Sequence, residues 1–71
     1  MVRAKFRVTE VAQTEAGGRV RMMPVTSGSA ENEQFFKWTP SGSLDMGTVN
    51  PEALKQFIPG KECYVDFTPI E

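Results

Sequence analysis

Val2-Arg3-Ala4-Lys5-Phe6-Arg7-Val8-Thr9 is the stretch that decides the fold. Apolar residues alternate with basic and polar ones at a period of two, the repeat of a strand with one buried face. A strand is predicted from Val2 to Val11, with Val2, Ala4, Phe6 and Val8 on one face and Arg3, Lys5, Arg7 and Thr9 on the other. Ala12 to Gly18 follows and ends in a Gly-Gly pair, a turn or loop signal. Arg19 to Val25 reads as the returning strand, with Val20 and Met22 on one face and Arg19, Arg21 and Met23 on the other. Pro24 has no amide to donate and belongs at an edge, a bulge or the strand's end.

Beyond this hairpin the pattern is more broken. Thr26 to Glu33 is small and polar and reads as a loop. Gln34 to Thr39 reads as a third strand, in which Phe36 and Trp38 oppose Phe35 and Lys37. Pro40-Ser41-Gly42 supplies a turn, and Ser43 to Val49 a fourth strand that would close a second hairpin. Asn50-Pro51-Glu52 is a helix start: Asn caps, Pro is tolerated at the first helical position, and Glu suits the positive end of the helix dipole. Leu54, Phe57 and Ile58 form one apolar stripe, and Pro59-Gly60 stops the helix. Lys61 to Thr68 is the last strand, with Cys63, Val65 and Phe67 on its apolar face, and Pro69 to Glu71 is a tail.

The expected fold is therefore mainly β, one small domain over residues 1–71 in the order β-β-β-β-α-β. Short strands with frequent turns point to a small five-stranded barrel of SH3-like order, with an oligonucleotide-binding (OB-like) barrel as the alternative. The predicted core is Phe6, Val8, Val20, Met22, Phe36, Trp38, Leu44, Met46, Leu54, Phe57, Val65 and Phe67.

Composition narrows the function. The chain has 71 residues, no His and one Cys, which excludes histidine-dependent catalysis, histidine metal sites and an internal disulfide. Ser and Thr have no His to activate them, and Cys63, phased inward beside Val65 and Phe67, reads as a core thiol. Glu31, Glu33 and Asp45 lack the spacing of a calcium loop. The Thr39-Pro40-Ser41-Gly42 turn lacks a P-loop lysine. No enzyme, metal or cofactor is expected. No apolar run approaches the roughly 20 residues of a bilayer span, and the N-terminus lacks a secretory apolar block. A cytoplasmic setting without membrane contact follows, and the lone Cys agrees with it.

Three stretches resemble those of short, uncharacterised proteins encoded by tailed bacteriophages. They are Phe35-Phe36-Lys37-Trp38-Thr39-Pro40-Ser41-Gly42, Gly47-Thr48-Val49-Asn50-Pro51-Glu52-Ala53, and Phe57-Ile58-Pro59-Gly60-Lys61-Glu62-Cys63-Tyr64-Val65-Asp66-Phe67-Thr68-Pro69. The likeness covers the last half of the chain well and the basic first hairpin more loosely. It implies a phage or prophage origin and action inside a bacterial host, and it transfers no activity and no functional residue.

The formal charge of −1 hides an asymmetry: +3 over residues 1–25 and −4 over the remainder. Strand phase gathers Arg3, Lys5, Arg7, Arg19 and Arg21, five of the eight basic residues, on one face, which Phe35 and Lys37 would extend. Cations beside aromatic platforms are what single-stranded nucleic acid requires. The plainer reading is a solvated outer face whose charge discourages aggregation. The expected function is a non-catalytic binding module using this face on a host or phage protein, an inhibitor of a host function being one form. The alternatives are an OB-like binder of single-stranded nucleic acid or a nucleotide, and a structural or assembly component of the virion. Self-association stays open.

Overall fold

The structure, a computed structural model, describes residues 1–15 and 17–70. Ala16, in the predicted loop, and Glu71, in the predicted tail, lie outside the described residues. The elements are β1 (Val2–Thr14), β2 (Gly17–Pro24), α1 (Ala30–Trp38), β3 (Leu44–Thr48), α2 (Pro51–Leu54) and β4 (Glu62–Phe67). The strands form one open antiparallel sheet in the order β3-β2-β1-β4.

β1 organises the sheet. Its alternation holds, and its first half pairs with β4 from Val2↔Phe67 to Arg7↔Glu62. Its second half pairs with β2 from Phe6↔Pro24 to Thr14↔Gly17. The two ladders overlap at Phe6 and Arg7, and a bulge between Val8 and Glu10 interrupts the β2 ladder just beyond the last β4 pair, where the Thr9 hydroxyl donates to the Arg21 carbonyl at 3.1 Å. A bulge adds twist and bends a strand, which lets one long strand serve two neighbours.

The apolar face carries the core: Ala4, Phe6, Val8, Val20, Met22 and Leu54 are buried, with Val11, Leu44, Phe57, Cys63 and Val65 packed against them. Asn50 starts α2 as its sequence predicts, its side-chain oxygen accepting from the Glu52 and Ala53 amides. The cap aims Leu54 onto the sheet. Gly18 serves this contact, while Gly17 pairs with Thr14 across the β1–β2 connection. Both glycines lie within β2, and a Cβ on Gly18 would sit 2.4 Å from a Leu54 methyl. Gly17 has φ +136°, and its Cβ would meet the Thr48 carbonyl oxygen at 2.3 Å.

The expected third strand is a helix, and this correction changes the architecture. Gln34 to Trp38 belong to α1, whose start reaches back into the predicted loop. Ser29 caps it, its hydroxyl accepting from the Asn32 amide at 3.0 Å. Glu31 and Glu33 occupy the first turn and Lys37 the last, matching the helix dipole. The phase reverses accordingly. Asn32 and Phe35 face inward, while Phe36 and Trp38, predicted core, are exposed at 39% and 64%. With that strand gone the second hairpin cannot form, and β3 pairs with β2 instead. Four strands remain, with β3 and β4 on opposite edges, so the expected five-stranded barrel, SH3-like or OB-like, gives way to an open sheet. Met46 and Phe67, also predicted core, point to the apolar side but lie on the edge strands and stay partly exposed. No helix among the described residues is long and apolar enough to cross a membrane.

Candidate functional site: the charged face and its aromatic ridge

The five cations expected to share a face do so. Arg3, Lys5 and Arg7 project from β1 and Arg19 and Arg21 from β2, opposite to the apolar core. Register then brings acids to them. Asp66 lies opposite Arg3, Glu62 opposite Arg7, and Asp45 opposite Arg21. Arg3 holds Asp66 through two bonds of 2.6 and 3.0 Å. Arg7 reaches Glu62 at 2.8 Å, and Arg19 and Arg21 reach Asp45 at 2.6 and 3.5 Å. Lys5 lies under α1, 2.7 Å from Glu31 and 3.5 Å from Glu62. The acidic second half of the sequence thus folds back onto the basic first hairpin.

Helix α1 is tied down at the centre of this network. Glu31 accepts from both the Lys5 ammonium and the Tyr64 hydroxyl, the latter at 2.9 Å. The Asn32 amide donates to Glu62 at 2.8 Å and to the Ser27 carbonyl at 3.0 Å. Phe35 is buried beneath the helix, its ring 6.1 Å from that of Tyr64. Val25, which donates its amide to the Lys5 carbonyl, is 1% exposed on this same side. The side opposite the main core therefore has a small apolar centre of its own.

These contacts lower the titration of the carboxylates and raise that of the Tyr64 phenol. The Lys5 bond, then the Tyr64 bond, hold Glu31 below the usual carboxylate range. The Arg7 bond and then the Asn32 bond lower Glu62. Asp66 is lowered by Arg3, and Asp45 by Arg19. The Tyr64 phenol is pushed up by its bond to Glu31 and by burial. Each shift favours the charged, paired carboxylate.

The expected site residues therefore divide. Arg3, Lys5, Arg7, Arg19 and Arg21 are together but paired with acids. Phe35, expected to extend the basic face, is buried beneath α1, while Lys37 is exposed on that helix. Glu31 and Asp45, two of the three acids weighed for a metal, hold separate cations.

Sequence reasoning missed an exposed aromatic ridge. Trp38 packs edge-on against Phe35, with ring centres 5.5 Å apart. Phe35 leads to Tyr64, and the Arg3 guanidinium stands over the Tyr64 ring, 4.8 Å from its centre. Trp38 and Tyr64 are 64% and 50% exposed. The available signal was helical: Ser29-Ala30-Glu31-Asn32 is a cap followed by first-turn acid, and Asn32 and Phe35 fall three apart. Shallow hollows of about 210 Å³ beside Gln13, Glu15 and Pro51, about 530 Å³ over Ala12, Arg19 and Gly47, and about 370 Å³ over Thr9, Met23 and Leu44 mark the surface. No family model matches the chain, and neither a curated protein nor a solved structure matches it.

Proposed function

We propose that this chain is a non-catalytic binding module of phage or prophage origin that contacts a protein partner in the bacterial cell. The observation that carries this reading is the ridge Trp38–Phe35–Tyr64–Arg3, with Phe36 and Lys37 beside it on α1. Trp, Tyr and Arg are the residue types that dominate binding hot spots, because each presents a large rigid surface with a polar or charged end. Here all three are solvent-facing; the buried Phe35 supports Trp38 and Tyr64, and Asp66 holds Arg3 over the Tyr64 ring. Trp38, 64% exposed, touches the buried Phe35 with one edge and leaves most of its surface to solvent.

The charged face favours protein over nucleic acid as the partner. Polyanion binding draws on cations free to displace counterions from phosphate. The five cations of this face already have carboxylates at 2.6–3.5 Å. Association through the ridge would inhibit or redirect a host or phage protein by occupying its surface.

Immobilised full-length chain and a Phe36→Ala/Trp38→Ala variant, exposed to nuclease-treated bacterial extract, test the proposal. The expected result is a defined protein retained by the wild type and lost with the variant, at equal melting temperatures. Equal retention by both, or retention that nuclease abolishes, would overturn it.

A further inference from the structure

Residues 26–43 are attached to the molecule differently from the rest of the chain. They comprise α1 and its two connections, and each connection carries a Ser-Gly-Ser triad: Ser27-Gly28-Ser29 before the helix and Ser41-Gly42-Ser43 after it. Both triads are exposed, and their glycines have φ of +112° and +143°, a backbone conformation that L side chains rarely adopt. Among the described residues no backbone hydrogen bond joins 26–43 to the sheet. The Glu33 amide donates to the Ser29 carbonyl and the Thr39 amide to that of Phe35, both inside the segment.

One buried ring and two polar side chains hold the segment down. Phe35 is buried, Glu31 accepts from Lys5 and Tyr64 at 2.7 and 2.9 Å, and Asn32 donates to Glu62 at 2.8 Å. Asn32 also weakens the hold. It is 2% exposed, and its Oδ1 has no hydrogen-bond partner among the described residues. A buried acceptor left unpaired costs the closed arrangement, and water satisfies it once the helix lifts.

We infer that α1 is a lid: residues 26–43 lift from the sheet as one unit, pivoting at Gly28 and Gly42 and latched at Glu31, while the four strands stay paired. The aromatic ridge spans the seam that opens. Phe35 and Trp38 belong to the lid, whereas Tyr64 lies on β4 and Arg3 on β1, so the ridge exists only while the lid is closed. Lifting parts Phe35 from Tyr64, exposes the Phe35 ring to water and releases the Lys5 ammonium from Glu31. The lid thereby sets the fraction of molecules that present the ridge. The inference concerns this motion and does not rest on what the ridge binds.

Native-state hydrogen exchange of the full chain, read amide by amide, tests this. A helix as short as α1 is not stable alone in water, so lifting also melts it and its amides report the opening. In the wild type the amides of α1 should share one opening equilibrium, at least roughly tenfold more frequent than that of the paired amides in β1 and β2. Glu31→Ala removes the latch and should raise the α1 opening about tenfold with the strand amides unchanged. Glu33→Ala is the control. Glu33 shares the first turn but makes no ion pair among the described residues, and its loss should change α1 exchange only about twofold. Gly28→Ala and Gly42→Ala strain the closed lid at its pivots and should each speed α1 exchange about tenfold, again without effect on the strands. Wild-type α1 amides that exchange no faster than the strand amides would overturn the inference. So would substitutions that speed helix and strand amides equally, an equal response to Glu31→Ala and Glu33→Ala, or α1 amides that open independently of one another.

Discussion

The two faces of the sheet are held by different forces. On one, Ala4, Phe6, Val8, Val20 and Met22 pack under Leu54 with the side chains away from water. On the other, Arg3, Lys5, Arg7, Arg19 and Arg21 meet Asp66, Glu31, Glu62 and Asp45, mostly within reach of solvent. Burial of apolar surface is strong and insensitive to geometry, whereas exposed ion pairs contribute little apiece. The ion pairs of the charged face therefore contribute position more than stability. They fix where α1 lies and thereby orient Phe35, Tyr64 and Trp38.

Substitutions should separate the faces. Phe6→Ala, in the apolar core, should cost about 3–5 kcal/mol, enough to leave most of so small a domain unfolded in a urea titration. Phe35→Ala, under α1, should cost less, roughly 2 kcal/mol, because its neighbours Trp38 and Tyr64 already face solvent. Its mark should be local: amides of α1 lose protection from hydrogen exchange while those of β1 and β2 keep theirs. An equal loss across the sheet would show that both faces melt as one unit.

Acid should act on the charged face. Glu31, Glu62, Asp45 and Asp66 titrate lower in the folded chain than when unfolded. Their stabilisation is complete above the unfolded values of about 4, and it is lost as pH falls through the lower folded values. The melting temperature should therefore be level from neutrality to about pH 5 and decline below about pH 4. A decline that starts near neutrality would mean other groups govern it. The smallest effect belongs to Trp38→Ala, within about 0.5 kcal/mol of wild type, since the side chain is mostly exposed. A large destabilisation would put Trp38 in the core and remove the ridge.

What the sequence made legible follows the same division. Residues 2–8 alternate so strictly that both the strand and its faces could be read, and Asn50-Pro51 gave the start of α2. Gln34 to Thr39 misled because Phe36 and Trp38 alternate over too short a span to distinguish period two from period 3.6. The decisive residues, Ser29 as cap and Glu31 and Glu33 in the first turn, lie in the stretch that looked like a loop. The five cations were placed on one face from strand phase alone. Their neutralisation was not legible, because it depends on which strands become neighbours. Asp66 and Glu62 reach β1 across more than 50 residues of chain.

The central claim is that the basic face is closed by its own acids and has no affinity left for a polyanion. Fluorescence anisotropy of labelled single-stranded DNA and RNA, titrated with the full chain at low salt, tests it most directly. The account predicts a flat signal through the concentrations at which the chain stays folded. Binding that weakens steeply as salt rises, and that disappears when Arg3, Arg7, Arg19 and Arg21 are changed together to Ala, would contradict it.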